Sequence, residues 1–178
     1  MRARHAAGSP VGGRFTPAAR VDPEVHLPGL TAGLGDIVTE LQGLERTDPV
    51  YTDGQWQLRT AIDAYASNTG HDLRGATFTP EDYPVAGIDP GYNFTPESSV
   101  AEYEARWVAS GRLHGEDLQC QVAWYSELVD AAATGRLPRV VVHEVDGKSV
   151  IVDGGHRLSA HRAAGLDRVP AYVVRKQP

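Results

Sequence analysis

The chain has 178 residues, of which 41% are hydrophobic and 22% are charged, so it can bury the core of one ordinary domain. Its net charge is −6, but residues 1–20 carry four arginines and no acid, which leaves 13 basic and 23 acidic residues beyond them. A membrane span is excluded because no run of about 18 apolar residues occurs. A single cysteine, Cys120, excludes an internal disulfide and a thiolate metal cluster. No apolar segment follows the first arginines, so we expect no secretory signal and a cytoplasmic location.

The first 30 residues are rich in glycine, proline and arginine and have no helical or strand periodicity. They predict a flexible basic leader over 1–30. A contact of residues 1–20 with nucleic acid is one interpretation, and a solvated tail is the one we favour. The acidic remainder of the chain opposes tight binding to duplex DNA unless this leader contributes.

The next stretch, 31–112, is predicted to be a helical elaboration. Apolar residues at helical spacing indicate helices at about 34–46 and 55–67. Residues 70–97 are rich in Gly, Pro, Asp and Thr and show no period, which predicts a long loop or a lid. A capping box at Ser99 then predicts a helix over 99–110.

The remaining stretch, 113–178, is predicted to form the core. An apolar stripe indicates a helix at 116–134, in which we expect Cys120 to pack as a small apolar residue. The pair Asp146-Gly147 is a strong hairpin signal between two β-rich runs. The predicted order is a strand at 139–145, a turn, a strand at 149–153, two glycines, a helix at 158–164 and a strand at 168–174.

The junction between the second strand and the helix is the most informative feature. A helix N-terminus has unpaired N–H groups and a partial positive charge, and Gly154 and Gly155 let the backbone approach an anion closely. Arg157 could make a forked contact to phosphate, and His156 could donate a hydrogen bond or shuttle a proton. Asp153 suits a bound metal or a base. The same residues also fit a tight turn with solvated side chains, and the sequence favours neither interpretation.

Other polar residues near this junction give weaker signals. Ser159 could donate to a phosphate or be solvated. His156 and His161 are five residues apart, about 140° around a helix, so we expect no shared metal and place His161 at the surface. His143 and Glu144 alternate on a strand, so at most one reaches the junction, and we favour a solvated strand end.

The run VIVDGGHRLSAHRAAGLDRVPAYVV at 150–174 resembles the phosphate-binding core of the ParB/sulfiredoxin superfamily. Members there have a hydrophobic strand, then Gly-Glu-Arg-Arg, Gly-Cys-His-Arg or Asp-Gly-His-His-Arg, a helix ending Ala-Gly-Leu and a strand containing Val-Pro. The resemblance covers about 118–175. It implies an α+β fold with a small mixed β-sheet core and a helical N-terminal elaboration.

Position 155 departs from the family pattern. Gly155 stands where sulfiredoxin has its catalytic cysteine, so cysteine-sulfinate repair by that route is excluded. The glutamate of ParB that is associated with metal and nucleotide would fall there too, which argues against CTP hydrolysis of the clamp type. No helix-turn-helix module follows, so we do not expect a centromere-binding role.

The resemblance implies a ParB-like protein that binds a nucleotide or a phosphorylated small molecule. If it is an enzyme, it would be a metal-dependent phosphotransferase or a hydrolase of NTP or phosphodiesters, with Mg²⁺ and a nucleoside triphosphate as cofactors. Asp153 and His156 would then be catalytic, with Asp153 also holding the metal, and the phosphate ligands would be Gly154, Gly155, His156, Arg157 and Ser159. One alternative is a non-catalytic accessory module of a mobile element that contacts nucleic acid or protein. Another is a DNA nuclease.

Overall fold

The computed structural model describes residues 31–38, 58–91 and 96–175. Residues 34–38 are helical, as the apolar spacing predicts, while the rest of that predicted helix and the basic leader lie outside the described residues. The helices are α1 (Leu58–Thr69), α2 (Val100–Ser110), α3 (Gly115–Ala133) and α4 (Gly155–Ala163), with a 3-10 turn at Val85–Gly87. The strands are β1 (Ala32–Gly33), β2 (Thr77–Pro84), β3 (Ile88–Asp89), β4 (Val140–Val145), β5 (Lys148–Asp153) and β6 (Arg168–Arg175).

The strands form one mixed six-stranded sheet in the order β1-β2-β6-β4-β5-β3. β4 is parallel to β6 and β3 is parallel to β5, whereas the other neighbours are antiparallel. The chain therefore has the α+β fold class that the sequence predicted. Strands from both sides of the predicted boundary at 112/113 join this sheet.

Both faces of the sheet are covered, and the alternation along β4 shows how. Val141 lies in a core with Phe78 and Ile62, which α1 covers. Val140 and Val142 lie on the opposite face in a second core with Leu158 of α4. A third cluster packs α2, α3 and α4 together through Tyr103, Tyr125, Leu128 and Ala160. The site helix α4 is thus held between the sheet and two other helices.

A helix cap and a hairpin turn that the sequence predicted are both present. Ser99 caps α2, and its side chain accepts a hydrogen bond from the backbone N–H of Glu102 at 3.1 Å. Asp146 and Gly147 both have positive φ, 51° and 73°, as a two-residue hairpin between β4 and β5 requires.

The loop predicted over 70–97 is wrong over 77–84, which forms β2. Seven of the eight residues of β2 pair with β6, from Phe78 opposite Val174 to Pro84 opposite Arg168. Ion pairs link Arg175 to Glu81 and Arg168 to Asp82 across the same two strands. Prolines and acids hide the strand in the sequence, because the pairing that stabilises it comes from residues near the far end of the chain.

Within the described ranges, no helix has both the length and the apolar character that crossing a bilayer requires.

Candidate functional site at the start of helix α4

Gly154 connects β5 to α4 in a conformation that requires glycine. Its φ is +93°, and a Cβ atom there would lie 2.9 Å from Cγ1 of Val140 and 3.0 Å from Cζ of Arg157. Such contacts are too close for a side chain to be accommodated without movement. The first position of the predicted Gly-Gly junction therefore requires glycine.

Arg157 folds back against this junction. Its Nη2 donates to Oδ2 of Asp153 at 2.6 Å, its Nη1 donates to the carbonyl oxygen of Arg139 at 2.5 Å, and the residue is 8% exposed. The sequence predicted a forked contact from Arg157 to a phosphate, whereas both terminal nitrogens of its guanidinium bond within the protein. Arg157 instead fastens the first turn of α4 to the ends of β4 and β5.

Asp153, the expected metal ligand, is paired with Arg157 inside the protein. Its carboxylate already neutralises Arg157, and its side chain is 14% exposed. The part of the chain that the structure describes has no group of three or more His, Cys, Asp or Glu side chains placed to hold a metal ion. Mg²⁺ is usually held by one or two carboxylates together with waters and substrate phosphates. Asp153 would have to exchange its contact with Arg157 for such an ion, and Mg²⁺ at Asp153 stays a prediction.

Ser159 points into the protein, not towards a ligand at the helix start. It is fully buried, and its Oγ donates to Oε2 of Glu97 at 2.8 Å. The hydroxyl of Tyr125 lies 2.7 Å from the same Oγ. The prediction that Ser159 is a phosphate ligand is therefore wrong, because its hydrogen-bonding capacity is used inside the core.

His156 is the predicted site residue that reaches solvent at the first turn. Its ring packs edge-on against Trp124, with 5.4 Å between the ring centroids. Burial by the protein packed around the inner side of the ring lowers the pKa of His156, although its outer side remains exposed. Since its ordinary pKa is about 6.5, a lowered pKa keeps the ring neutral at pH 7, able to donate one N–H.

The amides of the first turn form the remaining part of the site. The N-cap residue, Gly154, has no side chain to cap the N–H groups of Gly155, His156 and Arg157. No acid lies in that turn. A helix start with a glycine N-cap and no acid in its first turn favours an anion.

Three other predicted side-chain positions differ from expectation. His161 is 2% exposed, and its Nδ1 lies 2.8 Å from the carbonyl oxygen of Arg157, so it is not at the surface. His143 is also buried, and its Nδ1 lies 2.9 Å from the Tyr65 hydroxyl. Cys120 is exposed and not packed.

Sequence reasoning missed Glu97. The residue is 2% exposed and contacts Ser159, which is 62 positions away in the chain. It fell within the predicted loop, and a long-range contact of this kind leaves no local periodicity. The adjacent capping box at Ser99 was the one nearby signal, and it indicated only where α2 begins.

No protein-family model matches the chain, and no curated protein matches it. The chain is similar to a solved structure, the crystal structure of sulfiredoxin from Arabidopsis thaliana. The sequence identity is 21%, and the match covers 53% of this chain and 83% of that one, with a TM-score of 0.33. The function proposed below is argued from the start of α4 alone.

Proposed function

We propose that this protein binds a phosphoryl group, carried by a nucleotide or another phosphorylated small molecule, at the first turn of α4. The observation that carries the proposal is the start of this helix, where the amides of Gly155, His156 and Arg157 follow a glycine N-cap that offers no side-chain cap and where the first turn itself contains no acid. Backbone N–H groups and the helix dipole at such a position favour a phosphate oxygen.

The neighbouring side chains suit this ligand. His156 is exposed in the same turn and can donate a hydrogen bond to an anion bound at the amides. The Arg157 guanidinium, paired with Asp153, holds the turn in place. A rigid turn loses little conformational entropy when the anion binds.

The proposal is one of binding and includes no metal-dependent phosphoryl transfer or hydrolysis. The carboxylate that such chemistry would use, Asp153, is engaged by Arg157 at 2.6 Å. A metal-dependent nuclease meets the same obstacle, because metal-assisted phosphodiester cleavage needs carboxylates that can hold the ion.

A second candidate function is a non-catalytic interaction module in which the site at Gly154–Arg157 no longer binds a ligand. It is favoured by the observation that Arg157 and Ser159, two of the expected phosphate ligands, are both bonded inside the protein. In this case the contact with nucleic acid would fall to residues 1–20, which lie outside the described residues.

A pair of substitutions at Gly155 tests the proposal. The backbone of Gly155 is helical and does not have the positive φ of Gly154, so a side chain there causes no backbone strain of that kind. Gly155→Asp places a carboxylate at the helix start, where it stabilises the helix but repels an anion, whereas Gly155→Asn has the same shape without the charge. Binding of pyrophosphate, ATP and CTP is measured by titration calorimetry at low salt.

We expect Gly155→Asp to weaken binding at least about tenfold, or about 1.4 kcal/mol, relative to Gly155→Asn. The proposal fails if the unmodified protein binds none of the three compounds, a result that supports the interaction module. It also fails if the Asp and Asn variants bind equally well.

A further inference from the structure

Glu97 is a buried carboxylate that the proposed function does not use. It lies just before α2, is 2% exposed, and its Oε1 is 2.5 Å from Nε of Arg106 on α2. This is a close contact between charges without the alignment of a good hydrogen bond. Burying a carboxylate is costly unless its charge and its oxygens are satisfied. The burial of Glu97 therefore needs a structural or functional reason.

The other oxygen of Glu97 ties it to α4. Ser159 Oγ donates to Glu97 Oε2 at 2.8 Å, and the backbone N–H of Glu97 donates back to Ser159 Oγ at 2.9 Å. A serine has one hydroxyl proton, and here it goes to the carboxylate. Tyr125 of α3 must therefore donate its own proton to Ser159 Oγ. Burial raises the pKa of Tyr125 to about 12, so this donor stays protonated.

His156 lies on the same face of α4 as Ser159, because three residues correspond to about one helical turn. The partners on α3 match this arrangement, since Trp124 packs on His156 while the adjacent Tyr125 bonds to Ser159. Segment 96–99, α2 and α3 thus meet along one face of the site helix. Glu97 lies where they join.

We propose that Glu97 is a positioning residue that sets the orientation and the electrostatic surroundings of His156 at the first turn of α4. Its hydrogen bonds with Ser159 fix the rotation of the helix, and its charge acts on the imidazole one turn away. The importance of His156 to a ligand rests on the proposed function, but the coupling between Glu97 and His156 does not.

The charged groups around His156 act on it in opposite directions. Glu97 favours the imidazolium form, whereas Arg106 on α2 and Arg157 on α4 disfavour it. Helix α3 packs against the ring through Trp124, which carries no charge. Removing the charge of Glu97 and removing the charge of Arg106 should therefore move the titration of His156 in opposite directions.

The test is an NMR titration of the His156 ring in the full chain without any ligand. Glu97→Gln keeps an oxygen that can accept from Ser159 but removes the charge. Arg106→Gln removes the opposing charge. Glu104→Gln is the matched control, since Glu104 lies on α2 and is exposed. A fourth variant, Ser159→Ala, breaks the link between Glu97 and α4 and is followed by hydrogen exchange of the amides of 155–158.

We expect the His156 titration to shift to lower pH in Glu97→Gln and to higher pH in Arg106→Gln, and to stay in place in Glu104→Gln. We expect faster amide exchange at the start of α4 in Ser159→Ala. Shifts of the same sign in the two charge variants, or none, overturn the proposal, because loosened packing alone would move both in one direction. If Glu97→Gln does not fold, unchanged His156 titration in Arg106→Gln together with unchanged exchange in Ser159→Ala overturns it. Pyrophosphate binding is measured separately, so a failure of the proposed function is distinguishable.

Discussion

The change of direction from β5 into α4 depends on one residue, Gly154. Its positive φ and its contact with Val140 and Arg157 leave no room for a Cβ atom. Gly165, at the end of the same helix, also has a positive φ, +71°, but no heavy atom would lie within 4 Å of an added Cβ. Comparing substitutions at the two glycines therefore distinguishes the effect of backbone strain from the effect of crowding.

Gly154→Ala should therefore be clearly more destabilising than Gly165→Ala. We expect losses in the free energy of unfolding of about 3 kcal/mol for Gly154→Ala and about 1 kcal/mol for Gly165→Ala, since crowding adds to the strain of positive φ only at Gly154. Urea unfolding measures both. Equal losses would show that the close approach at Gly154 is not real.

Arg157→Ala should act on stability, because it leaves the Asp153 carboxylate without its partner. We expect the free energy of unfolding to fall by about 3 kcal/mol. The matched control is Arg168→Ala, which breaks the exposed ion pair with Asp82 and should cost about 0.5 kcal/mol or less. Similar losses in the two variants would contradict the buried clamp described here.

The residue scale also shows what the sequence could reveal about the site. The two glycines and the helix start were predictable because they are local. The contact of Arg157 with Asp153 is also local, four positions apart, but the Arg139 carbonyl and the Glu97 partner of Ser159 were not predictable, because they are 18 and 62 positions away. Charged and hydroxyl side chains beside a glycine turn fit a ligand or an internal partner equally well in the sequence.

At the scale of elements, signals within a few residues of one another were reliable. The capping box placed the start of α2, and Asp146-Gly147 placed the β4–β5 hairpin. β2 was not predictable, because Pro80 and its acidic neighbours oppose a strand locally. Its pairing with β6 provides the missing stabilisation.

The cap at Ser99 gives a prediction at this scale. Ser99→Ala removes the acceptor for the Glu102 N–H and should lower the free energy of unfolding by about 1 kcal/mol. Ser110→Ala, at the other end of α2, removes a hydroxyl that donates back to the Trp107 carbonyl and accepts a long hydrogen bond, 3.3 Å, from the Arg112 N–H, and we expect a change within about 0.5 kcal/mol. Thermal unfolding of both variants measures the two losses in stability. A loss at Ser110 as large as that at Ser99 would count against the assigned cap.

At the scale of the whole molecule, burial lowers the pKa of three histidines, His143, His156 and His161. Each lies in a different contact: His143 with α1, His156 with α3 and His161 within α4. As the pH falls, these histidines are therefore protonated first in the unfolded state, near pH 6.5, and only at lower pH in the folded state. The folded protein gains stability from these groups above that pH.

We expect the free energy of unfolding to be level above about pH 7 and to decrease as the pH falls below about 6.5 towards the lowered pKa values of the folded protein. Urea unfolding between pH 7.5 and 5.5 measures this slope. The slope should be shallower in His143→Gln, which removes one of the three groups. Stability that stays constant or rises on acidification would show that these rings are not buried as described.

The central claim is that an anion binds at the start of α4, behind its glycine N-cap, and its most direct test is residue-resolved. The full chain, labelled with ¹⁵N, is titrated with pyrophosphate at low salt while the backbone amide signals are followed. We predict saturable shifts that are largest at Gly155, His156 and Arg157 and that need about tenfold more pyrophosphate in Gly155→Asp than in Gly155→Asn. Shifts that centre on another part of the protein, or no saturable shift at all, would contradict the claim.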